Sequence, residues 1–142
     1  MSVHLNDAAI SEFFKDPDGP IGRIIEHKAY AVEMAAQALL LIPGTGRYYP
    51  PGILTFRRDG KIYSNYSTGG RQTGHIASAP GEPPASDTGM LLASINHKIM
   101  VENTVFARVG SDRKYAIYLE LGTRFMAPRP FLRPALDIGM AS

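Results

Sequence analysis

The chain has 142 residues, 44% of them hydrophobic and 20% charged, and these fractions are typical of a globular domain and exclude wholesale disorder. There is no run of about 20 apolar residues and no cysteine, which excludes a membrane-spanning helix, disulfides and thiolate metal sites. The first residues lack the basic and apolar segments of a signal peptide, so we expect none. The length predicts a single domain over residues 1–142.

The charge of the chain is unevenly distributed. Residues 1–42 hold three basic and six acidic side chains, a net charge of −3, whereas the remainder holds twelve and seven, a net charge of +5. Such a split favours contacts between surfaces of opposite sign, including contacts between copies of the chain. A solvated surface with an accidental asymmetry explains it equally well.

Two helices are predicted at the N-terminus. Apolar residues recur at steps of three and four over residues 5–14, which indicates an amphipathic helix. A longer helix follows, with Asp18 as its cap, Pro20 in its first turn and a broad apolar stripe over residues 21–40. It is predicted to end at Pro43. We interpret its stripe as a core face, with a seam for a partner helix as the alternative.

A hairpin and a long loop are predicted next. Residues 53–56 and 61–64 alternate as strands around a connection over residues 57–60, and its Asp59-Gly60 pair is a strong turn signal. Residues 67–87 are rich in glycine, serine and proline and carry little apolar surface. They are predicted to form a mobile arm that orders against a partner.

The remaining elements complete a fold of the α+β class, in which two N-terminal helices pack on a small antiparallel sheet and one long flexible Gly/Pro/Ser-rich loop is present. Asp87 and Thr88 are predicted to cap a short helix, and residues 95–101 and 105–109 have strand periodicity. Residues 114–121 are too short to assign. The prolines that follow predict an extended path before a last helical turn over residues 135–140.

The sequence shows no catalytic constellation, and the protein is expected not to be an enzyme and to need no cofactor or metal. The four histidines lack neighbours at metal-ligand spacing, and no Gly-x-Ser-x-Gly hydrolase motif is present. A hydrolase site assembled across the fold from His27 and His97 remains the weakest alternative.

A nucleic-acid-binding module is the stronger alternative. Basic residues mixed with aromatic ones follow a phosphate backbone and stack on bases. The same residues are also ordinary components of a sheet, so a weak, non-specific contact with DNA is the most that they indicate. The basic residues concerned are Arg47, Arg57, Arg58, Lys61 and Arg71.

The most distinctive part of the sequence lies near the C-terminus. An apolar and aromatic segment leads to Gly122, and a proline-stiffened strap then places arginines around Phe131. Arginine with aromatic residues is typical of interfaces, although Phe131 pinning the C-terminus to the core is an equally good interpretation. The predicted interface residues are Tyr115, Tyr118, Glu120, Gly122, Thr123, Arg124, Arg129, Phe131 and Arg133.

This pattern resembles the tail-component family of tailed bacteriophages, typified by the gene-ten product of a lambdoid siphophage. The family's marks are a Tyr-Ala-x-Tyr-(Val/Leu)-Glu-x-Gly-Thr segment and a following Ala-x-Pro-Phe-(Leu/Met)-x-Pro-Ala segment, and an upstream Gly-x-Pro-Pro…Thr-Gly-x-Leu-x-x-Ser-Ile is also similar. The matching residues are Tyr115, Ala116, Tyr118, Leu119, Glu120, Gly122, Thr123, Arg129, Pro130, Phe131, Leu132, Pro134 and Ala135, with Gly81, Pro83, Pro84, Thr88, Gly89, Leu91, Ser94 and Ile95 upstream.

The resemblance implies a structural protein of the virion neck or tail, a tail-completion or head–tail joining component assembled in the cytoplasm of a bacterial host. It implies a ring of copies, commonly six, around the channel through which DNA passes. The implied partners are the chain itself, other neck, connector or tail proteins and, non-specifically, the passing DNA, with no membrane. Tail completion and the related tail-terminator role both stay open.

Overall fold

The computed structural model describes residues 7–50, 53–66 and 74–142, and it confirms the predicted α+β class. Its strands form three antiparallel pairs, β1–β4, β2–β3 and β5–β6. In chain order the elements are α1 (Asp7–Lys15), α2 (Pro20–Leu40), β1 (Tyr48–Tyr49), β2 (Ile53–Arg58), β3 (Lys61–Tyr66), β4 (His75–Ile76), α3 (Met90–Ser94), β5 (Ile95–Val101), β6 (Val105–Ser111), α4 (Lys114–Leu121) and α5 (Leu132–Ala141).

Helix α2 forms much as its sequence predicts, apart from its cap. Pro20 occupies the first turn, where its missing N–H group has no intrahelical partner to lose. The capping residue is Gly19, however, and the prediction of Asp18 is wrong. The backbone N–H of Asp18 instead donates to Oδ1 of Asp16 at 3.0 Å, which closes the turn that precedes the helix.

The hydrophobic core lies where α2 packs against α5 and the β5–β6 pair. The apolar stripe of α2 is therefore mainly a core face, as predicted. Gly139 of α5 lies so close to α2 that an added Cβ would be 2.6 Å from the backbone nitrogen of Val32, so only glycine permits this approach. The buried core residues are Val32, Ala36, Leu40, Ile95, Ala116, Phe131 and Ala135.

Both long hairpins are present in the predicted places. In β5–β6, Ile95 pairs with Ser111 and Val101 with Val105, so the second strand extends beyond the predicted residue 109. In β2–β3 the connection is only Asp59-Gly60, with φ of 52° and 73°. Positive φ at both positions is the mark of a two-residue type I′ turn, whose twist matches that of the flanking strands. The predicted four-residue connection is therefore wrong, because residues 57 and 58 belong to β2.

Much of the predicted mobile arm is tied to the rest of the chain. Residues 67–73 lie outside the described residues. Residues 74–87 include β4, in which Ile76 pairs with Tyr48, and Ser78 is only 5% exposed. The backbone N–H of Ser86 donates to the carbonyl oxygen of Leu40 at 3.2 Å. The prediction of a structureless arm is thus corrected for residues 74–87, because backbone hydrogen bonds replace the apolar contacts that their composition lacks.

The last helices need two further corrections. Helix α3 is capped by Gly89, with φ of 74°, and not by the side chain of Asp87 or Thr88. Helix α5 begins at Leu132, before the predicted residue 135, and contains Pro134, which the sequence assigned to an extended path. A proline in the first turn removes no intrahelical hydrogen bond, so the helix tolerates it there.

No helix formed by residues 7–50, 53–66 and 74–142 is both long and apolar enough to cross a membrane.

Phe131 and Phe125 provide a matched test of this core. Phe131 is 0% exposed and Phe125 is 85% exposed. We expect Phe131→Ala to lower the free energy of unfolding by about 3–5 kcal/mol, because it removes a large buried side chain, and Phe125→Ala to change it by less than about 0.5 kcal/mol. Urea unfolding followed by circular dichroism measures both, and equal losses would contradict the described core.

Candidate assembly surface

Helix α4 buries one narrow side and exposes the other. Ala116 is 6% exposed and joins the core. Large apolar and aromatic residues on the rest of the helix stay in contact with solvent. A helix of eight residues that leaves so much apolar surface uncovered has the composition of an interface, in which aromatic residues are enriched. These exposed residues are Tyr115, Ile117, Tyr118 and Leu121.

The chain reverses direction immediately after α4. Gly122 has φ of 74°, and an added Cβ would lie 2.8 Å from the carbonyl oxygen of Met126, so both conformation and space require glycine. Thr123 and Met126 then close a tight turn by two backbone hydrogen bonds, of 2.8 and 3.2 Å. In this turn Phe125 is 85% exposed. The guanidinium carbon of Arg124 lies over its ring, at a distance of 4.4 Å from the ring centroid. An ordered, exposed pair of this kind is suited to contact a partner.

Residues 127–130 follow this turn as the strap, and backbone hydrogen bonds hold the strap on both sides. The backbone N–H of Arg129 donates to the carbonyl oxygen of Leu119 at 2.7 Å, and that of Gly81 donates to the carbonyl oxygen of Pro128 at 3.1 Å. The strap therefore lies between α4 and the loop that contains residue 81. Phe131, which follows the strap, is fully buried.

Glu120 caps helix α5 from across the strap. One carboxylate oxygen, Oε2, accepts hydrogen bonds from the backbone N–H groups of Phe131 and Leu132 at 2.8 and 3.0 Å, and Oε1 accepts one from Arg133 at 3.0 Å. These N–H groups have no partner within the helix, and the negative charge also favours the positive end of the helix dipole. Glu120 therefore joins the two halves of the C-terminal signature inside one chain.

A cleft of about 210 Å³ opens beside the strap. It is lined by apolar residues of α2, α3 and α4, with Leu40, Leu91 and Tyr115 among them, and by the loop over residues 84–89. Arg129 also lines it, and the Nε atom of Arg129 is buried without a hydrogen-bond partner among the described residues. At the same cleft, Nδ1 of His75 lies 3.9 Å from Oδ1 of Asp87.

The structure places the predicted interface residues in three different settings. Tyr115, Tyr118, Thr123, Arg124 and Arg133 are exposed and available to a partner. Three others have roles inside the chain, because Phe131 is a core residue, Glu120 is bonded to α5, and Gly122 serves the chain reversal. Arg129 is half-buried at the cleft.

The predicted DNA-contact residues lie in two places. The guanidinium carbon of Arg47 lies 5.4 Å from the ring centroid of Tyr49. Arg57 and Arg58 belong to β2, and Arg58 pairs with Lys61 across the tip of the hairpin. Arg71 lies outside the described residues.

The two histidines predicted for a hydrolase site have different surroundings. His27 is exposed on α2, whereas Nδ1 of His97 on β5 contacts Oε2 of Glu33 on α2 at 2.5 Å. The ring of Tyr30 meets that of His97 edge-on, with centroids 6.4 Å apart. Among the described residues there is no group of three His, Cys, Asp or Glu side chains placed to hold a metal ion.

Sequence reasoning missed Phe125 and the cleft. The sequence signal for Phe125 is that an aromatic residue follows a turn glycine within five positions. A tight chain reversal at that place keeps the aromatic side chain away from the core. No signal predicts the cleft, because its walls come from segments that are distant in the chain.

A second carboxylate stabilises the loops next to the cleft. Glu82 accepts hydrogen bonds from the hydroxyl and backbone N–H of Thr45, at 2.5 and 3.2 Å, and from the backbone N–H of Ala79 at 2.8 Å. The Thr45 hydroxyl first, and then the two backbone donors, hold the pKa of Glu82 below its ordinary value, because they favour the ionised form.

No protein-family model matches the chain, and no curated protein or solved structure matches it.

The lowered pKa of Glu82 makes the contact between these loops dependent on pH. A folded-state pKa below the unfolded value means that the stabilisation is present above the unfolded pKa and is lost as the pH falls through the folded pKa. We expect the amides of Thr45 and Ala79 to lose protection from hydrogen exchange, corrected for intrinsic rates, as the pH is lowered from neutral to values below the ordinary glutamate pKa of about 4.3.

Glu82→Gln should lower their protection throughout that range and remove its dependence on pH. The amide of Arg129, which donates to a backbone carbonyl, is the internal control. Protection of Thr45 that stays constant over the range, while the protein remains folded, would contradict the role given to Glu82.

Proposed function

We propose that the chain is a structural protein of a bacteriophage virion, which acts in tail completion or head–tail joining as a ring of copies, commonly six, around the DNA channel. It would be assembled in the cytoplasm of the bacterial host and would contact other neck, connector or tail proteins. The proposal begins from the resemblance of the C-terminal signature and is supported by the surface that this signature builds.

The residues that carry the resemblance form one interlocked unit. The first half of the signature is α4 with Gly122, and the second half is the strap with the start of α5. Glu120 of the first half is bonded to three backbone donors of the second. Because each half needs the other to form this contact, their joint presence in the sequence has a physical reason.

The observation that carries the proposal is the exposed apolar surface of this unit. Phe125 is 85% exposed, and Ile117, Tyr118 and Leu121 are all more than half exposed. Large exposed apolar side chains concentrated on one short helix and the turn that follows it are typical of sites of association, and aromatic residues next to arginine are typical of the energetically dominant part of an interface. A structural role in an assembly needs such a surface.

A small basic nucleic-acid-binding protein is the second candidate, and the tip of the β2–β3 hairpin favours it. Arg58 and Lys61 stand directly opposite each other there, next to Arg57. This backbone register brings three basic residues to one end of the hairpin, and such an accumulation of basic residues favours an anionic partner such as a phosphate backbone.

The proposal predicts a defect in joining when the protein is missing. Electron microscopy of lysates from a parent phage with this reading frame stopped early should show filled heads beside separate tails. Supplying the wild-type chain in trans should restore joined particles. The double variant Tyr118→Ala with Phe125→Ala should fold, because both side chains are exposed, but should restore few of them.

Val101→Ala is the matched control, because Val101 is 46% exposed at the turn end of β5–β6, away from α4. It should restore joining fully. Normal, infectious particles from the stopped frame would overturn the proposal. Binding to DNA that weakens steeply with salt and is lost in Lys61→Gln would then favour the nucleic-acid alternative.

A further inference from the structure

Helix α1 carries aromatic side chains that its own chain leaves exposed. Phe13 and Phe14 are 48% and 42% exposed, with ring centroids 5.8 Å apart, and every residue from 11 to 18 is exposed. A helix of nine residues is too short to be stable by itself in water, where packing of an apolar face supplies most helical stability. Helix α1 contacts α2 of its own chain, but this contact leaves both aromatic rings exposed, so apolar surface of the helix is open to a further partner.

One side of α1 combines an aromatic ring with carboxylates. Asp16 is three residues from Phe13 and four from Glu12, so its side chain neighbours both of theirs on the helix surface. Asp16 already accepts a hydrogen bond from the backbone of Asp18, which makes Glu12 the carboxylate placed to contact a partner. Residues 7–18 carry four acidic side chains and one lysine, a net charge of −3.

The cleft beside the strap offers the complementary chemistry. Its walls are mostly apolar, and its volume of about 210 Å³ suits one aromatic side chain. The Nε–H group of Arg129 is a buried donor without a partner among the described residues, and a guanidinium stays charged at any ordinary pH. Burying such a group without an acceptor is costly, so an oxygen supplied from outside would complete the site.

The other ionisable groups at the cleft do not oppose a carboxylate beside Arg129. Of the described residues that line it, only Asp87 is acidic, and its Oδ1 faces Nδ1 of His75 at 3.9 Å. Tyr115 also lines the cleft.

We propose that α1 of one copy docks in the cleft of a second copy, with Phe13 entering the apolar cleft and the Glu12 carboxylate accepting a hydrogen bond from Nε of Arg129. The partner copy thus supplies the acceptor that the site lacks. Each copy presents both the helix and the cleft, so the contact is head-to-tail, and it closes into a ring where the rotation between successive copies permits closure. The inference rests on the proposed function in that this contact joins the subunits of the proposed ring.

The absence of cysteine in the chain permits a direct test by disulfide trapping. Ala9 lies one helical turn from Phe13, and Met90 is 49% exposed at the cleft. Purified Ala9→Cys and Met90→Cys proteins, one carrying a tag that separates the products by size, are mixed in a glutathione redox buffer. The mixed disulfide can form only between copies and should form about tenfold faster than that between Ala9→Cys and Val101→Cys.

Second substitutions in the Ala9→Cys protein test the named contacts. Phe13→Ala and Glu12→Gln should each remove the tenfold excess, whereas Phe14→Ala, which changes the adjacent ring, should keep it. Both contact residues are exposed, so these variants fold. Arg129→Gln in the Met90→Cys protein should remove the excess from the other side.

Equal rates for Met90→Cys and Val101→Cys would overturn the docking, as would an excess that survives Phe13→Ala and Glu12→Gln. The test uses purified protein alone and is therefore separate from the phage experiment. If trapping fails but the phage still needs the protein to join heads and tails, only the docking is overturned. Efficient trapping with normal particles from a stopped frame supports the docking and overturns the neck role.

Discussion

The carboxylate of Glu120 is the contact on which the C-terminal half of this protein depends. It stands at the end of α4 and accepts three hydrogen bonds from the first backbone N–H groups of α5. Hydrogen bonds to a charged acceptor are stronger than those between neutral groups. Phe131 donates one of them and lies fully buried, so the same contact places the largest ring of the core.

The exposed surface of the C-terminal unit follows from this contact between Glu120 and α5. To bring Glu120 over the start of α5, the chain must reverse within a few residues of the end of α4, and Gly122 makes the reversal possible. The reversal leaves Phe125 at its outer edge. Helix α4 turns Ala116 inward, so its large side chains remain outside. A signature that stabilises one chain thereby builds the surface that we propose as an interface.

The elements that the sequence predicts well are those specified by local patterns. The stripe of α2 has the helical period, and Asp59-Gly60 suits only a tight turn, so both are recognised without a tertiary structure. Glu120 is different. Its partners lie eleven to thirteen residues away across a proline-containing strap, and the aromatic segment in which it stands is equally typical of an interface. The cleft at Arg129 depends on residues 75–92 packing near α4, and the composition of the loop favours disorder instead.

The most direct test of this account is a double-mutant cycle between Glu120 and Phe131, measured as free energies of unfolding in urea. Glu120→Gln should destabilise the protein by about 1–3 kcal/mol, while Glu102→Gln in the exposed β5–β6 turn should cost less than about 0.5 kcal/mol. The loss of stability in the double variant Glu120→Gln with Phe131→Leu should be smaller than the sum of the two single losses by at least about 0.5 kcal/mol. The reason is that the carboxylate holds the backbone that carries the ring. Losses that add, or a Glu120→Gln protein as stable as Glu102→Gln, would contradict the claim that Glu120 organises the C-terminal half.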